Sequence, residues 1–428
     1  MITRLILFIL SYALQTLASP TRTSGNTADV ARAPATPVTG VIVSDFRKNN
    51  VSARWAVGHP MQWGSEDAKF EFPIALGSQS FAGAISGDGK YLALVNGTDV
   101  KIIALDTGSL VSMPTYPAKL GRRPDSVRFV SLATGGYRLI LGTYTYSAGA
   151  SNAVYQLQLS SEGLQTGDVG EYEGTISSAD TWPFSNDGRR LLTINGVTHH
   201  DAYVYDLDTH NTTSLKLTGH TDSIMSSAFS PDGKLVLTAA WDASAKLWNA
   251  TTGELVHTFE NTGGQNWIAR FSPDGTHLLI TVGTPSIRIW SLNNLTSEPV
   301  IIGTKPTYTQ WIRQVSFSAD SKFLATGAYG KIVIYSFPSL EIVQTWEIED
   351  QGWEISELLW LEGTKRIAYR ILGGLEMYDF ETNLKYRWGP GEMDHWGGGR
   401  GPSGVVKSRG WIGGMDSDAK ERFWKYPA

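Results

Sequence analysis

Apolar residues in this chain fall in short runs closed by small polar turns, with none of the long capped stripes that build helices. The clearest stretch is residues 219–253, GHTDSIMSSAFSPDGKLVLTAAWDASAKLWNATTG. Its first turn, Ser230-Pro231-Asp232-Gly233, returns as Ser86-Gly87-Asp88-Gly89, Ser185-Asn186-Asp187-Gly188, Ser272-Pro273-Asp274-Gly275 and Ser318-Ala319-Asp320-Ser321. An aromatic residue closing the third apolar run of each unit returns as Tyr155, Tyr205, Trp248, Trp290, Tyr335 and Tyr378, with Ile103 in the same place earlier. Successive separations are 52, 50, 43, 42, 45 and 43 residues. Self-similarity at such a period is the signature of a repeat architecture, here one of many short strands joined by tight turns.

The block at 219–253 resembles a WD repeat. Gly219-His220 matches that motif's opening pair, Phe229 to Gly233 its first turn and Asp242 its tight-turn aspartate, while Trp248-Asn249 stands where Trp-Asp is usual. In weaker form the resemblance covers about residues 70–390. It implies an all-β fold, a β-propeller of four-stranded blades. It also implies a structural hydrogen-bonded set of His220, Thr238, Asp242 and Trp248, in which a hydroxyl and a carboxylate satisfy a buried indole and imidazole.

The termini add one more unit. In the tail from Arg409, RGWIGGMDSDAKERFWKY, Met415-Asp416 falls on Trp241-Asp242, and Trp424 follows Tyr378 by 46 residues. Lys69 to Leu76 (KFEFPIAL) reads as a fourth strand with nothing before it. An uncovered sheet edge invites pairing with other chains, so this strand is expected to complete the C-terminal blade. Eight blades result; seven, with the tail packed outside, is the alternative.

The repeat register assigns each loop to a face. Loops between second and third strands, and from one blade to the next, share one side. That side gathers Tyr144, Tyr146, His199, His200, Trp241 and Tyr329 from within blades, with Trp182, Trp267, Trp311 and Arg313, and Trp353 and Glu354 from the blade starts. Trp, Tyr and Arg bring large contact area with few rotors. Tyr144, His199, His200, Trp241, Trp267, Trp311, Arg313 and Trp353 are therefore the expected ligand-binding set. The opposite side carries Asn211, Asn249 and Asn294, each just after a third strand. With Asn50 and Asn96 these make five Asn-x-Ser/Thr acceptors for N-glycans.

Composition adds a compartment. Arg4, the apolar run Leu5 to Leu14 and the small residues Thr16 and Ala18 read as an export signal over residues 1–18, cut before Ser19. The run is too short to span a bilayer, so no membrane insertion is expected after its removal. Residues 19–40 are rich in Ser, Thr, Pro and Ala and read as a flexible linker. Residues 41–428 are then a single propeller domain. The chain has no cysteine, which excludes disulfides and thiolate chemistry. A net charge of −5 with only isolated basic pairs argues against nucleic acid as a partner.

Catalytic signatures are missing: there is no Gly-x-Ser-x-Gly elbow, phosphate-cradling loop, His-Glu-x-x-His or calcium loop. No cofactor or metal is called for, since His199-His200 has no identifiable third ligand. Two readings remain. One is a secreted, glycosylated scaffold binding a protein, peptide, glycan or small molecule through its aromatic face. The other is a secreted propeller enzyme (a hydrolase, isomerase or cyclase) acting on a small molecule, for instance in secondary metabolism. Convergent His, Asp or Arg in a deep channel would favour the enzyme, and an aromatic rim the scaffold.

Overall fold

The computed structural model describes residues 54–55, 70–73, 81–117, 122–133, 135–145, 152–176, 183–195, 198–209, 214–304, 307–308, 310–328, 330–347, 355, 357–361, 366–371, 374–379, 384–388, 411–415 and 420–425. The chain divides into two units, Met1–Pro37 and Val38–Ala428, and every described residue belongs to the second. Among them the regular structure is β throughout, arranged as eight sheets.

Six sheets follow the repeat directly, each a meander of antiparallel strands. The first runs Phe81–Ile85, Tyr91–Asn96, Asp99–Ala104 and Leu110–Ser112. The second runs Arg122–Ser131, Tyr137–Thr145, Ala153–Leu159 and Gln165–Glu173. In the third, Arg190–Ile194, Ala202–Asp206 and Leu215–Leu217 pair in order, and among the described residues the isolated bridges Thr175↔Ile194 and Phe184↔Leu191 stand where a first strand would lie. The fourth comprises Ile224–Phe229, Leu235–Ala240, Ala245–Asn249 and Leu255–Phe259. The fifth comprises Asn266–Phe271, His277–Val282, Ser286–Ser291 and Val300–Ile302. The sixth comprises Gln314–Phe317, Phe323–Ala328, Lys331–Ser336 and Ile342–Glu347.

The last two sheets recruit the N-terminus. In the seventh, Glu357–Leu361, Arg366–Ile371, Gly374–Asp379 and Leu384–Trp388 gain a fifth strand, Arg54–Trp55, which pairs parallel to Leu384–Trp388. In the eighth, Trp411–Met415 pairs with Lys420–Lys425, and the outer partner of Lys420–Lys425 is Phe70–Pro73, with Phe70 opposite Phe423 and Pro73 opposite Lys420. The N-terminal strand thus sits where a fourth strand belongs, as the sequence alignment expects. Residues 389–410 lie outside the described residues.

Alternating apolar positions let neighbouring sheets share cores. Val100 and Ile102 of the first sheet pack with Val127, Leu139 and Tyr155 of the second, and Ile140 and Val154 of the second with Tyr203 and Tyr205 of the third. Further along, Leu237 and Leu247 pack with Leu278 and Trp290, and Ile332 and Ile334 with Leu358, Trp360 and Tyr378. All six aromatics that set the sequence period are buried.

The recurrent turn explains its own composition. In each copy the Ser hydroxyl donates to the Asp carboxylate two residues on: Ser86 to Asp88, Ser185 to Asp187, Ser230 to Asp232, Ser272 to Asp274 and Ser318 to Asp320. That carboxylate also accepts the backbone N–H two residues further, as from Lys234 at 3.0 Å. The last turn residue has φ near +70° in Gly233 and Gly275, the left-handed region that favours glycine. Ser321 holds φ +55° in the fifth copy, and its hydroxyl accepts the Asp274 N–H of the neighbouring sheet at 3.0 Å.

These bonds depress five carboxylates. At Asp88, Asp274 and Asp320 burial pushes the pKa up and the turn's hydrogen bonds outweigh it; at Asp187 and Asp232 the bonds from Ser185 and the Lys234 N–H lead. A folded pKa below the unfolded value near 3.8 means that the unfolded chain binds more protons in acid. Stability should hold above about pH 5 and fall as pH drops below about 4. Urea midpoints measured from neutral pH into acid check this; a midpoint unchanged down to about pH 3 would contradict it.

Candidate functional site

Three consecutive sheets bring their loops together at one end. In the fourth sheet, Asp242 holds the loop before Ala245–Asn249: it accepts the Ser244 N–H and hydroxyl at 2.9 and 2.8 Å and the Thr221 N–H at 3.0 Å. That loop is stitched to the fifth sheet. Thr262 donates its N–H and its hydroxyl to Ala243 O, each at 3.0 Å, and Asn266 Nδ2 donates to Ser244 O at 2.8 Å. Trp241 and Trp267 are thereby set 5.3 Å apart, edge to face.

The sixth sheet supplies the rest. Its lead-in is pinned by Tyr308, whose hydroxyl donates to Thr326 O at 2.9 Å and lies 2.7 Å from Thr326 Oγ1. Gly303, at φ +74°, lets Ile312 approach; a Cβ there would stand 2.6 Å from Ile312 Cδ1. The Arg313 N–H then donates to Gly327 O at 3.0 Å. Trp311 comes to lie 5.4 Å from Trp267, and the Arg313 guanidinium sits 4.2 Å from the Trp267 ring centre and 4.9 Å from that of Trp311. Trp267 is buried, Trp241 and Arg313 are half-buried, and Trp311 is 36% exposed. The result is a rigid aromatic–cation stack with one indole open to solvent.

Of the expected binding residues, the structure joins Trp241, Trp267, Trp311 and Arg313. His199 and His200, in the corresponding loop of the third sheet, are not part of this stack. His199 has φ +60°, donates its N–H to Asn195 O and accepts the Ile224 N–H of the fourth sheet. Burial, with a smaller contribution from His200, lowers its pKa, and its place is that of a link between sheets. Tyr144 lies on Tyr137–Thr145 opposite Arg123, but its side chain is outside the described residues, as is the whole of Trp353. Among the described residues no group of three or more His, Cys, Asp or Glu is placed to hold a metal ion, and no helix is long and apolar enough to cross a membrane.

Beneath the stack, the strands Asn266–Phe271, Gln314–Phe317 and Glu357–Leu361 border a cavity of about 200 Å³ lined by Arg270, Phe271, Gln314, Val315, Ser316, Phe317, Leu358 and Leu359. Arg270 Nη1 donates to Ala269 O at 3.0 Å.

The structural set forms one relay. Trp248 Nε1 donates to Thr238 Oγ1 at 2.9 Å, Thr238 Oγ1 lies 2.8 Å from His220 Nε2, and His220 Nδ1 lies 2.8 Å from Asp242 Oδ2. With the proton on Nδ1, the hydroxyl donates to the imidazole and the imidazole to the carboxylate. Burial raises the Asp242 pKa, but bonds from His220, the Thr221 N–H and Ser244 outweigh it and hold it far below the usual carboxylate range. A second copy escapes motif reading. Tyr308 and Thr326 are 18 residues apart, as are His220 and Thr238, so a phenol replaces the imidazole in the sixth sheet.

The comparisons with known proteins meet this geometry. The family described as WD domain, G-beta repeat matches residues 211–249 and 300–336. The chain is a WD-repeat protein. Each matched segment straddles two sheets: 211–249 joins Leu215–Leu217 of the third sheet to three strands of the fourth, and 300–336 joins Val300–Ile302 to three strands of the sixth. The repeat unit in sequence is thus offset from the sheet by one strand, the same stagger that seats Phe70–Pro73 in the eighth sheet.

The WD-repeat protein is 27% identical over 181 residues to THO complex subunit 3 of Arabidopsis thaliana, covering 41% of this chain and 55% of that relative. It is 33% identical over 128 residues to eukaryotic translation initiation factor 3 subunit I of Scheffersomyces stipitis, covering 28% and 35%. To the WD repeat-containing protein 26 homolog of Arabidopsis thaliana it is 26% identical over 145 residues, covering 33% and 24%. The chain thus spans about half, or less, of the length of each of these relatives.

Proposed function

We propose that this WD-repeat protein is exported and acts outside the cell as a docking scaffold for another protein, with Trp241, Trp267, Trp311 and Arg313 as its docking face. The stack carries the proposal. An exposed indole backed by a second indole and a fixed guanidinium offers area with little left to order on binding. Two relatives bear the names of subunits of larger complexes, in keeping with a scaffold. Export rests on the signal-like residues 1–18 and on the sequons. The enzyme reading finds less support, since the cavity bordered by Asn266–Phe271, Gln314–Phe317 and Glu357–Leu361 is lined by neither His nor a carboxylate.

Changing Trp311 and Arg313 together to Ala should weaken partner capture by about 2 kcal/mol or more, roughly 30-fold. Stability should fall by only about 1 kcal/mol, the scale of a partly exposed cation–π contact. Changing Lys234, an exposed residue of the recurrent turn at the other end of the fourth sheet, to Ala should leave capture alone. The check is quantitative mass spectrometry of extracellular proteins retained by each immobilised form. Equal retention by the double variant, or loss with the Lys234 change, would place the docking face elsewhere.

A further inference from the structure

Nine large apolar side chains are exposed among the described residues, and their distribution is uneven. Trp311 belongs to the stack. The other eight, Leu110, Met113, Leu164, Leu255, Val256, Val300, Ile301 and Ile342, all lie on or directly beside the outermost strand of a sheet. Consecutive exposed pairs occur on two of these strands: Leu255 and Val256 are 51% and 48% exposed, and Val300 and Ile301 55% and 46%. These edges combine apolar surface with unpaired backbone groups, a combination that favours association unless something covers it.

The turn before each pair carries a sequon, with its Asn six residues upstream: Asn249 before Leu255 and Asn294 before Val300. In both turns the Asn side-chain oxygen accepts hydrogen bonds, though from different donors. Asn249 Oδ1 accepts the N–H groups of Thr251 and Thr252 at 2.8 and 3.0 Å, and Asn294 Oδ1 accepts the Thr296 hydroxyl at 3.1 Å. Each oxygen is occupied, while neither Nδ2, the atom that carries an N-glycan, makes a hydrogen bond among the described residues. Trp248 lies opposite Leu255, so the Asn249 Cα stands one residue along and one strand spacing across from Leu255, about 6 Å away. Ser291, whose carbonyl accepts the Asn294 N–H, is two residues beyond Ile289, the partner of Val300.

We propose that N-glycans on Asn249 and Asn294 are the cover of the apolar outer edges of the fourth and fifth sheets, an inference that rests on the reading of this chain as an exported glycoprotein. A bulky, hydrated sugar rooted at the head of each strand shields Leu255, Val256, Val300 and Ile301 and keeps the outer strand from pairing. The stack, at the other end of these sheets, stays clear.

The test uses the full chain secreted from a eukaryotic host. Peptide mass spectrometry reads occupancy at both Asn residues. T251A/T296A then removes both sequons while the Thr251 N–H still bonds Asn249. Light scattering after size exclusion and binding of a hydrophobic dye read the outcome. Expected are occupied sites in the wild type, concentration-dependent self-association and raised dye fluorescence in T251A/T296A, and a restored monomer when L255T, V256T, V300T and I301T are added. If T251A/T296A is not secreted, enzymatic trimming of the folded wild-type glycans supplies the same comparison. Unoccupied sites would overturn the glycoprotein reading and the proposal with it. Occupied sites whose loss leaves a monomer with unchanged dye binding would overturn the shielding alone.

Discussion

Deleting residues 411–428 is expected to abolish folding to a monomer. The cut removes Trp411–Met415 and Lys420–Lys425, and with them the register that seats Phe70–Pro73 opposite residues 420–423. A whole sheet is lost from a fold whose cores are shared between neighbouring sheets. The N-terminal strand is left as an apolar segment with open backbone groups on both sides. Net stabilities of about 5–15 kcal/mol do not survive the loss of a sheet and its packing surface, and an uncovered edge recruits other chains. Size exclusion should show aggregate, and heating should show no cooperative transition. A monomer with an unchanged melting temperature would mean that the tail packs outside the repeat array, as in a seven-bladed arrangement.

Replacing Asp242 by Ala should cost about 3–5 kcal/mol, because several buried donors lose their carboxylate acceptor, each at about 1–3 kcal/mol. The side chains of His220 and Asp242 are 1% and 7% exposed, so water does not substitute for the lost carboxylate. The His220 Nδ1, the Thr221 N–H and the Ser244 hydroxyl each lose an acceptor at once. The Ala243–Thr262 stitch leaves the same loop, so Trp241 should also shift against Trp267. Asp242→Asn keeps the shape and one acceptor oxygen and should cost less. Urea unfolding of the three proteins reads the order directly; a cost for Asp242→Ala below about 1 kcal/mol would show that the relay is not structural.

What the sequence made legible follows from periodicity. The third-strand aromatics mark the sheets because each must be buried at the same depth between neighbours, and the offset of Met415-Asp416 located the eighth sheet with only a partial motif. The sidedness of Trp241, Trp267 and Trp311 was equally readable, because loop direction alternates with strand number. Other features lack a local signal. Tyr308 fills the place of an imidazole, visible only through the 18-residue spacing to Thr326. Arg54–Trp55 pairs over two residues, too few for any pattern, and parallel to its partner. Cross-sheet links such as that of Arg138 to Asp208 and Gly188 O depend on which sheets are neighbours. The backbone bond that His199 accepts from the next sheet likewise has no local signal.

Closure of the eighth sheet by the N-terminal strand is the central structural claim, and a disulfide tests it most directly. The chain has no cysteine, so F70C/F423C introduces the sole pair. Phe70 and Phe423 are direct antiparallel partners, which places their Cα atoms about 4.5–5.5 Å apart, inside the roughly 4.4–6.8 Å range of disulfides. Mild oxidation of the folded protein should consume both thiols and give a faster-migrating, reducible species on a denaturing gel, while oxidation in urea should give far less. Two free, reactive thiols in the folded and oxidised protein would contradict the closure.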